Sequence, residues 1–255
     1  MEISLENAIF SIDELSPLDI SIPLNFNGPQ PNAYGVDEAG SRLLGDTRGG
    51  ASVNFESVTF VPHCSGTHTE CVGHITKERI SVRECLQDIF VNAVLISVEA
   101  ESEGDDVVLS KSGISQALEV FTYARATDNV PTALIVRTLP NDDSKLTRKY
   151  GEYVPPYFTV EAMEFIVDCG FKHLLVDMPS VDRIYDEGKL ANHRIFWNIE
   201  LGSFEINADT RVDSTITELI YVPPQVIDGE YMLNLQIAPF ESDAAPSRPL
   251  IFKIN

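Results

Sequence analysis

The alternation of apolar and polar positions divides the chain before any chemistry is considered. Residues 18–31, LDISIPLNFNGPQP, alternate and then break at Pro, Asn and Gly, which predicts a strand entering a loop. Residues 52–63, SVNFESVTFVPH, alternate again through Val53, Phe55, Val58 and Phe60, and predict a strand that delivers the chain into the next segment. Ala93–Val98 and Thr132–Thr138 are short, β-branched, continuously apolar runs of the kind found in strands buried on both faces.

Between and after these runs the period changes to helical. Residues 110–126 carry apolar side chains at helical spacing behind Ser110, a good N-cap. Residues 159–171 begin at Thr159, another N-cap, with Glu161 in the first turn, where an acid suits the helix dipole. Ala162, Phe165, Ile166 and Cys169 share one face of that helix, and Gly170 suits its end. A buried strand follows in KHLLVDMPSVD (172–182), and further strands are predicted around ELIYV (218–222), YMLNLQIAPF (231–240) and RPLIFKIN (248–255). The acidic stretch 99–106 and the stretch 139–156 read as irregular connections. The pattern is α/β, mixed and strand-rich, and it predicts a single domain over residues 1–255.

Composition narrows the partners. The 255 residues carry 39 acidic and 18 basic side chains, a formal net charge of −21. Such a surface repels phosphate backbones and anionic lipid, so neither nucleic acid nor membrane is an expected partner. The first residues lack a basic segment followed by an apolar core, and no apolar run approaches the ~18 residues that span a bilayer. Four cysteines, Cys64, Cys71, Cys85 and Cys169, in a chain with a full core are expected to be free thiols of a cytoplasmic protein.

Chemistry concentrates in HCSGTHTECVGHI, His63–Ile75, which holds three of the five histidines and two of the four cysteines. Cys64, His68, Glu70 and His74 are the leading metal-ligand candidates, with Cys71 and His63 after them. His68 and Glu70 are two apart and share a face if the chain is extended; Cys64 and His74 sit at even spacing beyond them. Imidazole, thiolate and carboxylate together suit zinc or another divalent first-row ion. No CxxC pair is present, so a catalytic site is favoured over a purely structural zinc site. Elsewhere the residues themselves predict little: Asp177 and Asp182 read as turn chemistry around MPSV, His173 as structural, Cys85 and Cys169 as core, and Trp197 as core or a neighbour of the site. Ser180 lacks a nucleophile elbow. Arg137 and Arg248 are candidates for a substrate carboxylate.

The segment resembles the signature of the cyclase family of metal-dependent hydrolases, which includes bacterial kynurenine formamidases and isatin hydrolases. That signature is His-x-Gly-Thr-His-x-Asp-x-Pro-x-His. Gly66, Thr67, His68 and His74 match it, while Cys64, Glu70 and Val72 stand where it has His, Asp and Pro. The opening strand and loop, ALIVRT, the 157–182 segment, NHRIFW and APSRPLIF are similar to the family as well. The resemblance implies a swivelling β/β/α fold and a homodimer or homotetramer. It implies a first divalent ion, Zn or Mn, on Cys64, His68 and Glu70, and where two ions are present a second on Glu70, His193 and Glu218. Glu205 is the alternative to Glu218. His74 is implied as general acid/base. The implied reaction is hydrolysis of a small amide, formamide, lactam or lactone, of arylformamidase type. Cys for His and Glu for Asp raise a rival, an inactive relative that binds without catalysing. A redox pair of Cys64 and Cys71 is a third hypothesis.

Overall fold

The β-branched runs assemble into one nine-stranded sheet in the computed structural model, which describes residues 1–5, 8–122, 130–151 and 153–255. In chain order its strands are β1 (Leu18–Asp19), β2 (His68–Glu70), β3 (Phe90–Glu99), β4 (Ala133–Leu139), β5 (His173–Val176), β6 (Thr215–Glu218), β7 (Gly229–Asn234), β8 (Ala244–Pro246) and β9 (Leu250–Lys253). They lie side by side in the order β8-β2-β6-β5-β4-β3-β7-β9-β1. The four central strands, β6, β5, β4 and β3, run parallel, and every outer pairing is antiparallel. The fold is therefore α/β, mixed and strand-rich.

Alternation along the central strands sends side chains into two cores. Val94, Ile96, Leu134, Val136, Leu174 and Val176 face the helices α3 (Lys111–Thr122), α4 (Val160–Asp168) and α5 (Ala191–Trp197). Their neighbours Ala93, Leu95, Ala133, Ile135 and Leu175 face the other way, onto Ile20, Ile220, Val222 and Val226. Covering both faces is what parallel strands require, and it explains why these runs are apolar throughout rather than alternating. Ser110 accepts from Gly113 N at 3.2 Å, and Thr159 accepts from Ala162 N at 3.2 Å, so both predicted N-caps form. The predicted helix 110–126 is seen as α3; residues 123–126 lie outside the described residues. Among the described residues no helix is long and apolar enough to cross a membrane.

The strand expected in 52–63 forms, but it is short and does not lead directly into the site stretch. The alternating segment 52–63 forms only Phe55–Thr59, an exposed hairpin arm paired with Gly40–Gly45. Phe55 and Val58 face solvent there, so the alternation marks no buried face. The chain enters the site through a helical turn, α1 (Pro62–Ser65), opened by Pro62 at its first position, where a missing N–H is harmless.

Behind the central strands lies a buried ion pair. The Lys145 ammonium donates to Thr138 O at 2.7 Å, Thr138 Oγ1 at 2.8 Å and Asp177 Oδ2 at 2.8 Å. Thr138 in turn donates its N–H and hydroxyl to Asp177 at 2.9 and 2.8 Å. Burial raises the Asp177 carboxyl, and the Lys145 charge opposes that rise. Asp177, read as turn chemistry, is thus a core anchor. Arg137 is likewise occupied, by Ser97, the Pro223 and Val226 carbonyls and Asp228, and Arg248 by Asp19.

Candidate metal centre

The short strand β2 is the base of the site. Its extended backbone puts His68 and Glu70 on one face and Thr69 on the other, where Thr69 and Thr217 hydroxyls meet at 2.8 Å. Antiparallel pairing with β6 sets His68 directly opposite Glu218 and Glu70 opposite Ile216. On the other side β8 offers only small residues, Ala244 opposite Glu70 and Pro246 opposite His68. Beyond β2 the chain is not extended. A 3-10 turn, Val72–His74, lifts His74 over the same face, and a Cβ on Gly73 in that turn would collide with the Ile80 carbonyl. His193 arrives from α5, whose first N–H groups Asp182 caps: Oδ1 accepts from Asn192 N at 2.7 Å and Oδ2 from His193 N at 3.2 Å.

Three imidazoles share one pattern. His193 Nδ1 meets Asp182 Oδ2 at 2.6 Å, and its Nε2 meets Glu70 Oε1 at 3.0 Å. His63 Nε2 meets Asp243 Oδ2 at 2.8 Å, and its Nδ1 comes to 2.9 Å from Glu70 Oε2. His68 Nδ1 lies 3.0 Å from Gly66 O, and its Nε2 lies 3.4 Å from Glu218 Oε2. Each ring is held on its outer nitrogen and turns the inner one to a central carboxylate. His74 joins from the rim, with Nδ1 3.3 Å from Asp243 Oδ2 and its ring 4.3 Å from that of His63. One ligand atom from each of His68, Glu70 and Glu218 lies within 4.8 Å of the others, and the same holds for His63, Glu70 and His74.

Polar satisfaction is incomplete where an ion would sit. His68 Nε2 and Glu70 Oε2 are buried with no aligned hydrogen-bond partner. Buried polar atoms are rarely left so, because each costs desolvation without return. Orphaned donor atoms among imidazoles and carboxylates fit a divalent first-row ion.

The charges are strongly coupled. Burial raises the Glu70 carboxyl, but the charge of His74 and the contacts of His193 and His63 pull it well below the ordinary range. Burial lowers His193, and Asp182 and Glu70 overcome it, holding the imidazole well above its usual value. The same opposition, with Asp243 and Glu70 prevailing, pushes His63 up to about 10. The hydrogen bonds of His63 and His74 hold Asp243 far below the carboxylate range.

A pH dependence of the metal-free protein follows. His63 titrates near 10 when folded against 6.5 ordinarily, so its stabilising contribution is complete below about pH 6.5 and is lost as pH rises towards 10. Asp243 is depressed from 3.8, so its contribution is present above that value and is lost only as pH falls through its lowered pKa. Thermal unfolding of chelator-treated protein is expected to show Tm falling between about pH 6.5 and 10; a flat or rising Tm there would rule out the ion pairs.

The structure gathers His68, Glu70, His74, His193 and Glu218 in one place. Cys64 it places beside them but turned aside: the side chain packs with Ala33, Tyr150 and Leu219, and burial, aided by the Glu218 charge, pushes its thiol up to about 11. Glu205 is far out, exposed and paired with Lys77 at 3.1 Å. His173 is bonded to Thr215 and Asp88, and Trp197 stacks 5.5 Å from the His193 ring while donating to Ser214 O. Cys71 Sγ donates to Ile80 O at 3.4 Å and packs with Val82, Cys85 and Ala245, in a cluster separate from that of Cys64. Reading of the sequence gave no role to Asp243 or Tyr34 and assigned Asp182 to a turn. Tyr34, left-handed at φ 59°, has its phenol raised above the ordinary value by desolvation and by the Glu218 charge, which keeps it protonated. Asp182 lies nine residues before Ala191, so its role at the start of α5 has no local signal in the sequence.

Residues 18–183 match the model of a family described as Cyclase, putative cyclase. No curated protein matches the chain. Solved structures do: a predicted metal-dependent hydrolase from Bacillus stearothermophilus is 14% identical with a TM-score of 0.61, covering 93% of this chain and 98% of that one. Isatin hydrolase A from Labrenzia aggregata is 15% identical with a TM-score of 0.63 and 94% of each chain covered. Isatin hydrolase A from Ralstonia solanacearum is 12% identical with a TM-score of 0.65, covering 93% and 91%. At these identities the likeness is one of fold.

Proposed function

The chain belongs to the putative cyclase family, and from that premise we propose that it is a metal-dependent hydrolase of a small amide, formamide, lactam or lactone. The carrying observation is the shared posture of His63, His68 and His193, each clamped outside and turned inward onto Glu70 or Glu218. That is how proteins orient metal-binding histidines. His68, Glu70, Glu218 and His193 would hold the ion, zinc or manganese by their donor types. Held by these residues, a divalent ion would supply Lewis acidity, which brings the pKa of water from about 15.7 towards ~7.

The chain's own groups then supply positioning and protons. His74 stands at the rim, its side chain 29% exposed and steadied by Asp243. It is placed to take a proton from the attacking water and return it to the leaving nitrogen as the C–N bond breaks. Tyr34, protonated beside Glu218, offers a donor to the substrate oxygen. Arylformamides and isatin-like lactams are the substrates to try first, and elemental analysis of protein purified without chelator is the deciding test. At least about one divalent ion per chain is expected; none, even after zinc or manganese is added, would leave the second reading, a binding protein of the same fold. The displaced thiol of Cys64 is what favours that reading.

Asp182→Asn isolates the outer clamp. Its amide oxygen can still cap α5, but it no longer matches His193 Nδ1 as an anion. Ion affinity is expected to fall about 10- to 100-fold, measured by competition with a chelator. Unchanged affinity would remove His193 from the ligand set.

A further inference from the structure

We propose that the centre has a second cation position, formed by His63, Glu70 and His74 and backed by Asp243. This rests on the reading of the centre as a metal site and adds a place for an ion that the first ligand group leaves out.

Glu70 faces two ways. Oε1 meets His193 on the side of Glu218, whereas Oε2 points to His63, and no donor is aligned on it although His63 Nδ1 is 2.9 Å away. A carboxylate so placed can bridge two cations. On the Oε2 side, ligand atoms of His63, Glu70 and His74 converge within 4.8 Å. Asp243 stands behind both imidazoles, one oxygen meeting His63 Nε2 at 2.8 Å and His74 Nδ1 at 3.3 Å. One outer acid thus fixes the orientation of two rings, the arrangement seen already for Asp182 and His193.

Local helical geometry explains why His63 and not Cys64 serves here. Successive residues on a helical turn point about 100° apart, from 3.6 residues per turn. α1 sends the Cys64 side chain to Ala33, Tyr150 and Leu219 and leaves His63 over Glu70. Two imidazoles and a shared carboxylate form a harder, thiol-free donor set. The His63 and His74 side chains are 23% and 29% exposed, against 1% for His68. The position therefore opens to solvent and exchanges its ion more readily than the buried group. Filling it also engages His74, so hydrolysis slows as the second ion enters.

Zinc titration of metal-stripped protein by calorimetry, with elemental analysis after gel filtration, tests this. Wild type is expected to take two ions with distinct affinities. His63→Ala retains one tight ion. Asp243→Asn, close in shape and so safer for folding, weakens only the second, by about 10- to 100-fold. Cys64→Ser keeps both. A single ion in wild type, or two in His63→Ala, would overturn the second position while leaving the hydrolase reading intact. Loss of the second ion in Cys64→Ser but not in His63→Ala would overturn it in favour of the thiol. Failure of wild type to bind any ion would overturn both.

Discussion

Glu70→Gln is expected to reduce divalent-ion affinity by more than about a hundredfold and to abolish hydrolysis with it. Loss of an outer partner alone costs about 10- to 100-fold, and Glu70 touches the centre directly through both oxygens. The amide retains one acceptor but replaces the other oxygen with a donor, which would face an imidazole. The buried anion that holds His63 and His193 protonated also disappears, so the metal-free protein should become less stable as well. Chelator competition reads the affinity, and circular dichroism confirms the fold. Affinity within tenfold of wild type would eliminate Glu70 as a ligand. Glu70→Asp keeps the charge and restores the signature residue but shortens the arm by one methylene. Displacement of about 1 Å can cost a hundredfold in rate, so a fall of that order is expected unless the strands readjust. Wild-type activity in Glu70→Asp would mean that this centre is not built around the longer arm.

The largest effect on stability is expected at Lys145. Lys145→Ala leaves Asp177 buried without its cation, at a cost of about 3–5 kcal/mol. Thr138 continues to donate two hydrogen bonds to the carboxylate, which places the result towards the lower end. Urea unfolding reads the loss as a lower midpoint at unchanged slope. Lys145→Met combined with Asp177→Leu removes both charges and is expected to recover much of it, because a buried pair often does no better than apolar residues of similar volume. A Lys145→Ala variant within about 1 kcal/mol of wild type would show that the pair does not anchor the end of β4.

Much of the fold was legible. Runs such as 93–98 and 132–138 are apolar at every position because both faces of a parallel strand are covered, and the caps at Ser110 and Thr159 are local hydrogen bonds. The strand expected in 52–63 forms as Phe55–Thr59, but as an exposed hairpin arm, because alternation shows that a face exists, not that anything covers it. In the centre, His68 and Glu70 were readable as neighbours because they are two residues apart on a strand. Cys64 and His74 were extrapolated along the same period, but a helical turn and a 3-10 turn break it. Cys71 packs with Val82, Cys85 and Ala245, apart from the cluster that takes up Cys64.

The sequence by itself determined the donor chemistry, the family signature with its departures at Cys64 and Glu70, and the strands and caps that arise from contacts a few residues apart. Only the tertiary structure decided which donors converge. Asp243 is 180 residues from His63, and Glu70 is 123 from His193. These contacts exist because β2 is inserted between β6 and β8 and because α5 carries His193 back to Glu70. Such pairings depend on sheet order and register, which no local periodicity encodes. The choice of His63 over Cys64 as the side chain facing Glu70 follows from the helical turn at Pro62 and the apolar cluster that takes up Cys64.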